Sequence, residues 1–233
     1  MRGTIALVGA GEFLPPMEVV DRELLRVCGG NRVAILPTAS APDGPGVPER
    51  WGAMGVDHFR RLGAQAEAVL ALDRTGCESS ELSERLQRAS LAYFSGGKPD
   101  YLYQALAGSI LWQAVMGILD RGGVLAGCSA GAMILGSYFP SFSIRRGTPI
   151  IQSWQPAFGI VPACVVIPHF NQVPEWLFRL FLPLRPSGTA VLGIDADTAL
   201  IGQGGTWKVR GLGRVSYFRG AVQRYRDGEI VPL

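Results

Sequence analysis

Residues 122–136 read Gly-Gly-Val-Leu-Ala-Gly-Cys-Ser-Ala-Gly-Ala-Met-Ile-Leu-Gly. A short apolar run (124–126) leads into Gly127-Cys128-Ser129-Ala130-Gly131, and a helix-forming stretch (130–135) follows. The pentapeptide fits the G-x-S-x-G pattern, in which a serine occupies a sharp strand-to-helix turn and small neighbours let the turn close. Such a turn at the carboxyl edge of a parallel sheet pushes Ser129 into solvent. It also aims the free N–H groups and the positive dipole end of the following helix at the site, which favours an oxyanion there, with the Ala130 N–H as first donor. Cys128 would have Ala126 and Ala130 at the positions where Ser129 has two glycines, so it reads as a small buried residue.

Outward from this turn the chain alternates between short, nearly all-apolar runs (4–8, 32–36, 66–70, 91–94, 124–126, 164–167 and 191–194) and helix-period segments (16–27, 49–62, 80–88, 100–107, 109–120, 130–135 and 174–182). Runs that are apolar throughout suit parallel strands covered by helices on both faces. Ser79 or Ser80 before Glu81 and Pro99 at a first turn are helix starts, and Gly63 and Gly122 are stops. The expected fold class is therefore α/β: a single-domain (1–233) three-layer sandwich of flavodoxin-like type around a mostly parallel sheet. Beyond about residue 195, brief runs separated by Gly204-Gly205, Gly211-Leu212-Gly213 and Asp227-Gly228 read as C-terminal antiparallel hairpins extending the same sheet. Residues 137–162, rich in Pro, Ser and aromatics, read as a long functional loop.

Composition removes whole classes of function. Of 233 residues 48% are hydrophobic and 18% charged, which argues against disorder. The most apolar stretch, 110–136, is interrupted by Asp120-Arg121, so no membrane span is expected. The start (MRGTIALVGAGEF) lacks a signal-peptide pattern, and the four cysteines (Cys28, Cys77, Cys128, Cys164) form no C-x-x-C pair. Both point to a reduced, cytoplasmic protein with no metal site. A net charge of +3 without a basic stripe argues against nucleic-acid binding.

A serine hydroxyl needs a base, usually histidine, and the chain has two. His169 follows an apolar run (164–167) and so belongs to the same sheet edge as Ser129. His58 reads as a surface or half-buried residue within a helix. A second oxyanion donor should come from the strand–helix loop at Gly96-Gly97.

Taken in order, VGAGEF, ILPTAS, YFSGGKPDYL, GCSAGAMIL, FGIVPACVVIPHF and LGIDADTAL resemble the aspartyl dipeptidase and cyanophycinase family of serine peptidases, which share the class I glutamine amidotransferase-like fold. The resemblance implies a cofactor-free peptidase with Ser129 as nucleophile, His169 as base, and Gly97 with Ala130 as the oxyanion hole. It also implies a small peptide substrate as partner, with homodimerisation left open; Lys98, Asn171 and Gln172 are the candidate substrate contacts, with Lys98, Arg145 and Arg146 available to an acidic group, and the stretch after His169 departs from the Gln- and Arg-rich one of cyanophycinases, which argues against cyanophycin itself. Two departures stand out. Where cyanophycinases follow the GID segment with a glutamate that orients the histidine, this chain has Ala196, and residues 138–150, where aspartyl dipeptidases carry their acid, contain none. Asp195 and Asp197 are the nearest candidates for a third member, and a Ser-His dyad is the alternative; loss of an orienting carboxylate costs about 10⁴ in rate. The expected function is a serine hydrolase cleaving dipeptides or short Asp-containing peptides through a Ser129 acyl-enzyme. The competing reading is a weak or inactive member that binds a ligand in the same pocket.

Overall fold

The structure, a computed structural model, describes residues 3–145, 148–174, 176, 178, 180, 182–203 and 205–233. At its centre lie β1 (Thr4–Val8), β2 (Arg32–Leu36), β3 (Gln65–Ala68), β4 (Leu91–Phe94) and β5 (Val124–Cys128). They pair in parallel in the order β1-β5-β4-β2-β3. Alternate residues of β1, β2, β4 and β5 enter different cores, as the two-residue period of a strand requires, while β3 closes the sheet edge. Ile5, Leu7, Leu36, Phe94 and Leu125 face one way, and Ala6, Val8, Ile35, Tyr93 and Ala126 the other. This double burial explains why the runs are apolar throughout.

On one face lie α1 (Glu18–Val27) and α2 (Val47–Arg61), which contribute Val20, Leu24 and Phe59. On the other lie α4 (Ser80–Gln87), preceded by the one-turn α3 (Arg74–Cys77), then α5 (Pro99–Leu106) and α6 (Ile110–Asp120). In α6 the buried residues are Leu111, Ala114, Val115, Ile118 and Leu119, the spacing of one helical stripe. Its N-cap is Ser109, whose hydroxyl accepts from the Trp112 N–H at 3.0 Å. Ser79 caps α4 in the same way through Leu82. Among the described residues no single helix is long and apolar enough to cross a membrane.

The α/β class read from the sequence holds, but the strands divide between two sheets. A second, six-stranded sheet has the order β13-β12-β9-β8-β6-β7. It comprises β6 (Tyr138–Arg145), β7 (Thr148–Pro156), β8 (Cys164–Ile167), β9 (Ala190–Ile194), β12 (Val215–Phe218) and β13 (Val222–Tyr225). The parallel pair β8/β9 thus lies outside the main sheet. The C-terminal strands are likewise shared out: β10 (Thr198–Gln203), β11 (Thr206–Gly211) and β14 (Ile230–Val231) continue the main sheet from β1 through successive antiparallel pairings, while β12 and β13 join β9. Apolar patterning reports burial, not which sheet does the burying. Residues 137–162, expected as a loop, contain the hairpin β6/β7. Pro140 and Pro149 remove ladder donors and weaken the strand signal there. The helix expected over 174–182 lies partly outside the described residues.

Candidate active site

Register brings the site together. Val8 of β1 pairs with Cys128 of β5, and Phe94 of β4 with Gly127. The loops after β1, β4 and β5 therefore leave the sheet at one level, where open α/β sheets hold their ligands. The loop after β8 joins them through the His169 N–H, which donates to the Gly9 carbonyl at 3.4 Å.

Ser129 links β5 to α7 (Ala130–Met133) with φ 51° and ψ −109°, outside the helical and extended regions. A conformation of this kind costs on the order of 1–3 kcal/mol. It is held by the Ser129 N–H donating to the Val8 carbonyl at 3.0 Å and by the Met133 N–H donating to the Ser129 carbonyl. The turn closes only because its flanks lack side chains: a Cβ on Gly127 would come within 2.4 Å of Gly131, and one on Gly131 within 2.8 Å of the Phe94 carbonyl oxygen. Because α7 is only four residues long, the expected contribution of a helix dipole is small, and the local N–H groups carry the electrostatics.

His169, in left-handed backbone conformation (φ 50°, ψ 32°), places Nε2 3.1 Å from Ser129 Oγ. Both side chains are half-buried. Gly97 has φ +143°, and a Cβ there would meet the Ala39 carbonyl oxygen at 2.2 Å. The neighbouring N–H groups are tied back, that of Gly96 to Glu12 Oε1 at 2.8 Å and that of Lys98 to the Ala39 carbonyl at 2.7 Å. Among the described residues the N–H groups of Gly97 and Ala130 have no acceptor, so they are the pair available to a developing oxyanion.

The remaining expected site residues are placed differently. The Asp195 carboxylate is not brought to His169: it accepts the Arg214 backbone N–H at 3.0 Å and lies 3.9 Å from the Arg214 guanidinium. Burial raises its pKa, with the Arg214 N–H and charge opposing. Asn171 is exposed, and its Oδ1 accepts the Ala196 N–H at 3.0 Å. Gln172 is exposed on the same turn. Lys98 reaches solvent, with Nζ 3.9 Å from Asp43. The Arg145 side chain and Arg146 lie outside the described residues. A cleft lined by Phe170, Asn171, Asp195, Arg214 and Arg224 opens beside the turn that follows His169.

Two side chains depart from the sequence reading. His58 is buried, not superficial: it is 1% exposed, and its Nε2 lies 2.8 Å from Asp21. Burial raises the Asp21 pKa against the opposing effect of His58. Glu12 is a site residue that the sequence motifs miss. It is buried and reaches the site from the β1 loop, with Oε2 accepting from the Cys128 thiol at 2.9 Å. Burial, followed by the Glu12 charge and hydrogen bond, pushes the Cys128 thiol well above the usual thiol range. Cys128 is thereby a protonated, fully buried donor and no competitor to Ser129. The one signal available in the sequence is an acid directly after the glycines of Val8-Gly9-Ala10-Gly11-Glu12. Among the described residues no three His, Cys, Asp or Glu side chains form a group able to hold a metal ion.

A strained serine at a strand–helix turn, against an imidazole and beneath free backbone donors, is the arrangement of serine hydrolases built on α/β sheets. Residues 5–210 match peptidase family S51, and the chain belongs to that family of serine-type peptidases. It is 29% identical over 220 residues to a cyanophycinase of Synechococcus elongatus, an alignment covering 91% of this chain and 66% of that protein. A Nostoc cyanophycinase is also 29% identical, over 85% of this chain and 69% of its own length. Among solved structures, a peptidase from an acI-B1 Actinobacterium is 32% identical with a TM-score of 0.87, over 100% of this chain and 98% of that one. A Listeria monocytogenes protein described as a putative peptidase E shares the fold at a TM-score of 0.65 and 18% identity, over 91% of this chain and 100% of that one.

Proposed function

We infer that the chain hydrolyses dipeptides or short Asp-containing peptides through an acyl-enzyme on Ser129. The observation that carries this reading is the 3.1 Å separation of Ser129 Oγ and His169 Nε2. In the reaction Oγ attacks the scissile carbonyl as Nε2 takes its proton. The carbonyl oxygen moves onto the N–H groups of Gly97 and Ala130, and the imidazolium returns the proton to the leaving amine. Water then repeats the sequence on the ester. Each oxyanion donor supplies roughly 3 kcal/mol of transition-state stabilisation. With Asp195 turned to Arg214, and with neither Asp195 nor Asp197 hydrogen-bonded to the His169 ring among the described residues, the machinery is a Ser-His dyad whose imidazole is held by its backbone. The cleft beside His169 carries the charges of Arg214 and Arg224 together with that of Asp195, and Asn171 and Gln172 on the adjoining turn would meet the peptide. The cysteines Cys28, Cys77, Cys128 and Cys164 are free and buried, which suits work in the reducing cytoplasm.

A fluorophosphonate tests the reading. It should label the wild-type protein at Ser129, and Ser129→Ala should abolish labelling. Equal labelling of the two proteins, or none of either, would favour the ligand-binding alternative. A dipeptide panel including Asp-Xaa and Xaa-Asp then reads out specificity.

A further inference from the structure

We propose that Glu12 is a positioning residue for the reaction, a buried clamp that sets the distance between the oxyanion loop and the nucleophile turn. The inference rests on the Ser129 acyl-enzyme reading. Glu12 spans two segments remote from it in sequence: its Oε1 accepts from the Gly96 N–H, 84 positions away, and its Oε2 from the Cys128 thiol, 116 positions away. The first contact holds the loop after β4, and the second holds the residue immediately before the nucleophile.

The clamp determines which N–H faces the substrate. With the Gly96 N–H drawn to Glu12 and the Lys98 N–H to Ala39, the intervening Gly97 N–H is turned outward. The fit is close: a Cβ on Gly96 would lie 3.1 Å from Glu12 Oε1 and 3.3 Å from Ser129 Cβ. If the loop lost its anchor on Glu12, the Gly97 donor would shift relative to the carbonyl oxygen, while Ser129 and His169 would stay paired. A carboxylate suits the task because each of its oxygens accepts at full strength and neither donates. Glutamine carries a single acceptor oxygen, so it can hold the Gly96 N–H or the Cys128 thiol but not both, and one end of the clamp is released.

The test is the second-order rate of fluorophosphonate labelling. In that reaction the Ser129 Oγ–P bond forms, the P–F bond breaks, fluoride leaves and His169 takes the hydroxyl proton, while the phosphoryl oxygen occupies the oxyanion position. Removing a donor outright costs about 10²–10³ in rate, so a displaced donor in Glu12→Gln should slow labelling by about 10- to 100-fold. Its thermal midpoint should stay within a few degrees of wild type. In Glu12→Asp, which keeps the charge, the inflection of rate against pH should stay in place with a lowered plateau. Glu12→Asp, one methylene too short to span both partners, should be impaired as well. Wild-type labelling rates in Glu12→Gln, a moved inflection in Glu12→Asp, or a slowdown that only follows loss of folded protein would each overturn the proposal and leave the Ser129 reading standing. Absence of labelling in the wild type would overturn both. If Glu12→Gln does not fold, the Cys128 pair decides. Cys128→Ser keeps a donor for Oε2 and should label about tenfold faster than Cys128→Ala; equal rates refute the clamp.

Discussion

Asp195→Asn separates two accounts of how His169 is held. If Asp195 were the third catalytic group, replacing it would slow turnover by about 10⁴, as loss of the orienting carboxylate does in a triad. The structure predicts a change of less than about threefold, because the Asp195 carboxylate meets Arg214 and not the imidazole. Asparagine Oδ1 can still accept the Arg214 N–H, so that hydrogen bond survives. What is lost is the attraction to a half-exposed guanidinium 3.9 Å away, and surface pairs of this kind contribute about 0–1 kcal/mol.

The stability effect has a definite sign with pH. Burial raises the Asp195 pKa above the ordinary carboxylate value of 3.8, so between that value and the folded one the native state binds more proton than the unfolded chain. Wild-type stability from this group is therefore full at the acid end of the window and is lost as pH rises through the folded pKa. Asparagine does not titrate. The variant should gain stability relative to wild type as pH rises across the window, then run parallel to it. Urea melts at several pH values and steady-state hydrolysis of the best dipeptide measure the two quantities. Turnover slowed a thousandfold or more, with stability intact, would refute the dyad and restore Asp195 to the triad.

Gly97→Ala should slow catalysis by about 10²–10³ through displacement of the donor, since a Cβ would strike the Ala39 carbonyl oxygen. KM alone should move little, and a variant with wild-type turnover would remove Gly97 from the oxyanion hole. His58→Ala should destabilise by about 3–5 kcal/mol, because it leaves Asp21 buried without a partner. Chemical denaturation reads this directly, and a loss under about 1 kcal/mol would mean that solvent reaches the carboxylate.

The parallel core is legible in the sequence because each central strand is buried on both faces, so burial writes itself as an unbroken apolar run. The nucleophile turn is legible because Gly127, Ser129 and Gly131 form one short pattern, in which Gly127 is demanded by its contact with Gly131 four positions on. What stays hidden depends on chain segments far apart. The assignment of β8 and β9 to a second sheet is fixed by their pairing with β6 and β12, and the prolines of the β6/β7 hairpin blur its strand periodicity. The burial of His58 is invisible locally because its partner, Asp21, is 37 positions away on another helix. In sequence, an adjacent Asp57 and arginines make the segment look solvated.

Glu12 shows why an acid is harder to read than a histidine. Serine chemistry announces a need for a base, and with only two histidines the choice is short. No comparable need points to a carboxylate whose work is to hold backbone. The site's acids are nevertheless few, and Glu12 and Asp195 are already engaged, the first with Gly96 and Cys128, the second with Arg214. Imidazole orientation is then left to the main chain, through the left-handed turn at His169 and its N–H on Gly9. The scarcity of acid that looks like a missing triad member is better understood as a transfer of positioning from carboxylate to backbone. It follows that substitutions distorting the Gly9–His169 contact should damage turnover more than removal of either acid at 195 or 197.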